Sequence, residues 1–159
     1  MRRLFVLLLP LLVFSACKPN LLPDTSVPDT KQNRAVIAFL DQYRQAFQQR
    51  SVADVMALVS ADYFENGGTP QTDDDYDYSQ LQTKLNNTFD KLESVVLSFH
   101  VQNIAKRDQY IDVVYYFVER ALVKYPTESQ WMSANDLNRV VLKLKGKNYK
   151  DGFEIMSGL

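Results

Sequence analysis

His100 is the only histidine in the chain. Its imidazole is the one side chain whose ordinary pKa suits proton transfer near neutral pH. A general base needs an orienting acid, and Asp112 is the candidate for that place. His100 lies where Val95, Leu97, Phe99 and Val101 alternate with Val96, Ser98, His100 and Gln102. It therefore sits on a semi-polar strand face, and both pocket lining and an ordinary surface position fit. A second set is aromatic: Tyr115, Tyr116, Phe117, Tyr125 and Trp131. These rings line a hydrophobic ligand pocket, or equally fill a core or a dimer face. The stretch Asp73-Asp74-Asp75-Tyr76-Asp77 offers carboxylates to a hard cation, but without the spacing and turn glycine of a calcium loop. It reads as a solvated loop leading to a helix capped by Asp77 or Ser79. We find no glycine loop shaped for phosphate, no metal-ligand cluster and no Ser-His-Asp order. No cofactor and no metal are expected.

The elements that position these residues are legible in the periodicity. Val36, Phe39, Leu40, Tyr43, Ala46 and Phe47 recur at three- and four-residue steps and predict a helix over 35–47. Ser51, with Asp54 three residues on, caps a shorter helix bearing Val55, Leu58 and Val59. Gly67-Gly68-Thr69-Pro70 breaks the pattern. Leu81, Leu85, Phe89 and Leu92 predict a third helix over 79–92. The period then changes from 3.6 to 2, giving strands at 95–102, 110–125, 131–145 and 153–156. In the middle of the 110–125 strand both faces are apolar, with Val113, Tyr115 and Phe117 on one and Val114, Tyr116 and Val118 on the other. Something covers both faces, and helices on one side with a second subunit on the other is one arrangement that does so.

Cys17 is the single cysteine, so no intramolecular disulfide is available. It follows basic Met1-Arg2-Arg3, an apolar run from Leu4 to Phe14 broken only by Pro10, and small Ser15-Ala16. The run is about half the ~20 residues of a membrane-spanning helix and suits a signal core. The order resembles a bacterial lipoprotein signal peptide, with Phe14 where leucine is usual. A plain secretory signal cut after Ala16 is the alternative. The resemblance implies removal of residues 1–16 and lipidation of Cys17, which consumes the thiol. Lys18 after the cysteine implies the outer membrane, with the domain in the periplasm. Residues 18–31, with Pro19, Pro23 and Pro28, read as an extended tether that spans up to roughly 45 Å. Without Arg2 and Arg3 the chain keeps 16 basic and 19 acidic residues, a net charge near −3. No basic stripe supports nucleic-acid binding.

Residues 32–159 form one domain's worth of chain. Phe39-Leu40-x-x-Tyr43-x-x-Ala46-Phe47, a polar turn, then Val55-Met56-Ala57-Leu58-Val59-Ser60-Ala61-Asp62-Tyr63-Phe64 leads to a short strand. Four antiparallel strands follow, the last in the closing Gly152-Phe153-Glu154-Ile155-Met156. This order resembles the nuclear-transport-factor-2-like superfamily, which includes SnoaL-like cyclases and ketosteroid isomerase. Cystatin-like folds with one long helix are the competing architecture. The resemblance implies an α+β fold, with N-terminal helices packed in a strongly curved, mainly antiparallel sheet that forms a cone. In the isomerases a tyrosine matching Tyr43 donates to the substrate oxygen, while the general base falls at Gly67, which cannot move a proton. The expected pocket residues are Tyr43, His100, Asp112, Tyr116 and Trp131.

The expected function is a membrane-anchored, non-catalytic binding or protein-interaction module. The alternatives are binding or turnover of a small hydrophobic ligand in the cone, and a structural role in an envelope assembly. Expected partners are the membrane through the lipid, an envelope protein or a small hydrophobic ligand, and a second copy through the sheet.

Overall fold

A computed structural model describes residues 20–67, 70 and 72–159. Cys17 and the segment before it lie outside the described residues. Helix α1 spans Lys31–Gln48, α2 Val52–Met56 and α3 Tyr78–Phe89. Strands β1 (Phe64–Glu65) and β2 (Tyr76–Asp77) pair with each other. Strands β3 (Leu92–Arg107), β4 (Tyr110–Val123), β5 (Gln130–Leu144) and β6 (Phe153–Ser157) form one antiparallel sheet in that order. No described helix is long and apolar enough to cross a membrane.

Side-chain caps fix where the helices begin. Thr30, Ser51 and Asp77 each accept a hydrogen bond from the backbone amide three residues on. At α3 Gln80 reaches back to the Asp77 amide, completing a capping box. The buried stripe of α1 is Val36, Phe39, Leu40, Tyr43 and Ala46, as the periodicity predicts. It lies against the sheet: Phe39 meets Phe153 at 5.5 Å between ring centroids, and Tyr43 stacks on Phe99 at 6.1 Å.

Opposed residues of paired strands point to one face, so the register separates inside from outside. Leu97, Glu119 and Ala134 share the helix-facing side, as do Phe99, Phe117 and Asp136. Val101, Tyr115 and Asn138 form the next row. A register shift between Val101 and Asn103 bends β3 and lets its later residues keep the right face, placing Ile104 opposite Val113. The parallel bridge Val59–Ile155 brings the segment after α2 beside β6.

The stretch expected as an extended tether is folded from Asn20 onward. Leu22 and Val27 are buried in the core, and Leu21 pairs with Pro28. The Ser26 amide donates to the Val101 carbonyl at 2.8 Å, fixing this small hairpin to the edge of β3. Two apolar side chains and a free strand edge outweigh the extended preference of Pro23 and Pro28. Asp24, with φ 54°, makes the tight turn.

Candidate ligand-binding site

The cone holds a cavity of about 200 Å³ lined by aromatic rings from α1, β3 and β4. Tyr43 and Phe47 come from α1, Phe99 from β3, and Tyr115 and Phe117 from β4. Phe99 meets Tyr115 edge-on at 4.8 Å, and Phe47 meets Tyr43 at 5.9 Å. Leu97 and Asn138 complete much of the wall. Residues 158–159 cross the mouth and separate this cavity from a second, more polar one of about 670 Å³. Glu65, Gly67, Tyr76 and Arg139 line the larger space.

A network holds residues 158–159 in place. The Leu159 carbonyl accepts from the Tyr63 and Tyr76 hydroxyls, and the Gly158 amide donates to Glu65. The Asn138 amide group donates to both the Tyr115 hydroxyl and the Gly158 carbonyl. Gly158 has φ +98°, and a Cβ there would lie 2.2 Å from the Arg139 carbonyl oxygen. Only glycine allows this approach to β5.

Two polar groups of the inner cavity have no such partner. The Tyr43 hydroxyl and the Glu119 carboxylate make no hydrogen bond or ion pair among the described residues. Burial, then the neighbouring Tyr115 and Glu119, push the Tyr43 pKa far above its ordinary value, so it remains a neutral donor. Burial alone pushes the Glu119 carboxyl up. Tyr115 is raised to about 12, chiefly by burial, with the Asn138 hydrogen bond acting the other way. The helices stop short of the β5 edge here: Met132, Ala134 and Asp136 face inward yet are exposed. The cavity therefore opens on the β5 side.

Of the five expected pocket residues, only Tyr43 lines this cavity. His100, Asp112, Tyr116 and Trp131 lie on the opposite, outer face of the sheet. The parity of β4 decides this: Tyr115, Phe117 and Glu119 point in, so 112 and 116 point out, as does Trp131 opposite Leu122. His100 faces the Ser26 hydroxyl at 3.2 Å on the surface. Asp112 does not orient it; its carboxylate is clamped by Arg107 and Arg139. Burial raises the Asp112 pKa, but the hydrogen bonds from both arginines prevail and the net shift is downward. The Tyr116 hydroxyl donates to Asn135 at 2.6 Å, and Arg120 lies 5.4 Å above the Trp131 ring.

Glu119 escaped the sequence reading. Its signal was present, because it falls on the face of Val113, Tyr115 and Phe117, where a charge is out of pattern. Gly67, where the resemblance would put an isomerase base, lines the larger cavity. Glu65 is committed to the Gly158 amide. Among the described residues, no group of three or more His, Cys, Asp or Glu is placed to hold a metal.

No family model and no curated protein sequence matches this chain. Solved structures do. The Kfla4162 protein of Kribbella flavida superposes with a TM-score of 0.64 at 8% identity, over 80% of this chain and 87% of that one. A nuclear transport factor 2-like superfamily protein of Salmonella enterica gives 0.60 at 11% identity, over 80% and 90%. A ketosteroid isomerase-like protein of Erwinia carotovora atroseptica gives 0.61 at 12% identity, over 80% and 93%. The fold is thus the α+β cone of the nuclear-transport-factor-2-like proteins, with helices held in a curved antiparallel sheet.

Proposed function

We propose that the chain is an envelope lipoprotein whose cone binds a small, largely apolar ligand without transforming it. One observation carries the binding reading: Tyr43 and Glu119 face an aromatic cavity with no hydrogen-bond partner. Neither oxygen is sealed from solvent, so both are available to a ligand that enters the cavity. At about 200 Å³ the cavity is below the ~300–1,000 Å³ of drug-sized sites, so a steroid is disfavoured. The absence of a base at Gly67 supports a non-catalytic role. Titration with benzyl alcohol, followed by chemical shifts, tests the reading. Saturable changes at Tyr43, Phe99, Tyr115 and Phe117 that vanish in Leu97→Trp are expected. Changes that survive the filling of the cavity sink it.

Catalysis has one observation in its favour, the presence of two groups able to exchange a proton, Tyr43 and Glu119, in one cavity. Release of a chemically altered ligand from a stoichiometric incubation distinguishes this reading from binding alone.

The order of residues 1–17 supports lipid anchoring at Cys17 and a periplasmic domain on the outer membrane. Only Lys18 and Pro19 separate Cys17 from the folded hairpin, so the domain would sit close to the bilayer. Cys17→Ser is expected to move the protein from the membrane to the soluble fraction; an unchanged distribution contradicts anchoring. A second copy is the proposed occupant of the sheet's outer face. Val96, Tyr116, Val118, Trp131 and Leu137 are exposed there across three adjacent strands, a surface able to meet its own copy about a two-fold axis. Sedimentation should give a dimer that Val118→Lys dissociates, and a wild-type monomer contradicts the pairing.

A further inference from the structure

We propose that the cone cavity binds a small organic ammonium ion, its charge against the Glu119 carboxylate and its carbon skeleton against Tyr43, Phe47, Phe99 and Phe117. This rests on the reading of the cone as a ligand chamber and names the chemical class of the ligand.

The charge balance of the cavity comes first. Glu119 is half-buried on the inner face of β4, between Leu97 of β3 and Ala134 of β5. No Lys, Arg or His lines the cavity with it. A half-buried carboxylate without a counter-charge gives up part of its hydration, and an ammonium ion offsets that loss. An anion meets the opposite balance. The Asn138 amide group already serves Tyr115 and Gly158, leaving the uncharged Tyr43 and Tyr115 hydroxyls as the donors. Asp136 adds a second negative charge on the open side, opposite Phe117 and exposed.

The walls point the same way. Aromatic rings carry negative charge on their faces and attract cations, most strongly where water is excluded. Five rings surround this cavity, with Tyr43 and Phe99 nearly parallel at 9° between planes. A neutral hydrocarbon would use the same walls but leave Glu119 uncompensated. Size sets the upper limit. About 200 Å³ is the liquid volume of about seven waters, which admits an amine with a short chain or a single ring.

The test uses the full-length chain at neutral pH with two probes of like shape, benzylammonium and neutral benzyl alcohol, titrated by calorimetry. Benzylammonium is expected to bind at least about tenfold more tightly than the alcohol. Glu119→Gln should abolish that preference, and an unchanged circular dichroism spectrum reports that the variant is folded. Asp136→Asn should reduce the preference only slightly. Equal affinities of the two probes for the wild type overturn the ammonium class while leaving the chamber standing. Binding of neither probe overturns both. A preference that survives Glu119→Gln overturns the assignment to Glu119.

Discussion

Glu119→Leu should stabilise the domain at neutral pH, an unusual outcome for a charged residue facing a folded interior. Full burial of a leucine side chain is worth roughly 1.5–3 kcal/mol, and position 119 is about half-buried, so the apolar gain is about 1 kcal/mol. Removal of an uncompensated carboxylate adds to it. The pH dependence separates the two contributions. Burial raises the folded-state pKa of Glu119 above its unfolded value. Below the unfolded pKa, near 4, both states are protonated and the carboxyl costs nothing. As pH rises through the unfolded and then the folded pKa, the unfolded state ionises first and wild-type stability falls. The advantage of the leucine variant should therefore widen from pH 4 to pH 7.5. Urea unfolding at the two pH values measures it. A variant less stable than wild type at pH 7.5, or an advantage equal at both pH values, refutes the view of Glu119 as an unpaired group. Lost benzylammonium binding in the same variant would show stability traded for function.

Three other perturbations probe the frame of the site. Gly158→Ala should cost about 1–3 kcal/mol, because its Cβ would collide with the Arg139 carbonyl at a φ of +98°; the urea midpoint reports it. Val27→Ala removes two buried carbons at about 0.8 kcal/mol each and should destabilise the domain by roughly 1.6 kcal/mol. No effect on the unfolding midpoint would mean that the hairpin is not part of the cooperative unit. Asp112→Asn should cost about 1 kcal/mol at pH 7, a modest value because Arg107 and Arg139 are largely exposed. The net Asp112 pKa is lowered, so its contribution is present above the unfolded pKa and lost as pH falls through the folded one. Acid titration of the two proteins should show their stabilities converge.

The helices and the strands were legible because they rest on local periodicity, and the cone followed only from the resemblance in their order. The α1 stripe from Val36 to Ala46 and the alternation through β3 give their own burial pattern. The facing of β4 was not legible: both its rows are apolar, so Tyr116 and Tyr115 are equivalent in the sequence. Only packing against α1 separates them, and it places His100, Asp112, Tyr116 and Trp131 outside. Tyr43 was found because a helix-one aromatic must enter the cone whichever way the sheet faces. The folding of residues 20–30 depends on a long-range bond, Ser26 to Val101, which has no local signature beyond Leu22 and Val27. Residues 158–159 at the cone mouth are likewise set by distant partners, Tyr63, Glu65 and Tyr76.

The central claim is that the space between α1 and the inner face of β3 and β4 is a ligand chamber. A crystal structure of the chain soaked with benzylammonium tests it most directly. The account predicts the ring among Tyr43, Phe47, Phe99 and Phe117, with the ammonium nitrogen within hydrogen-bond distance of a Glu119 oxygen. An empty cavity at a saturating probe concentration, or a probe found only on the outer face of the sheet, contradicts it.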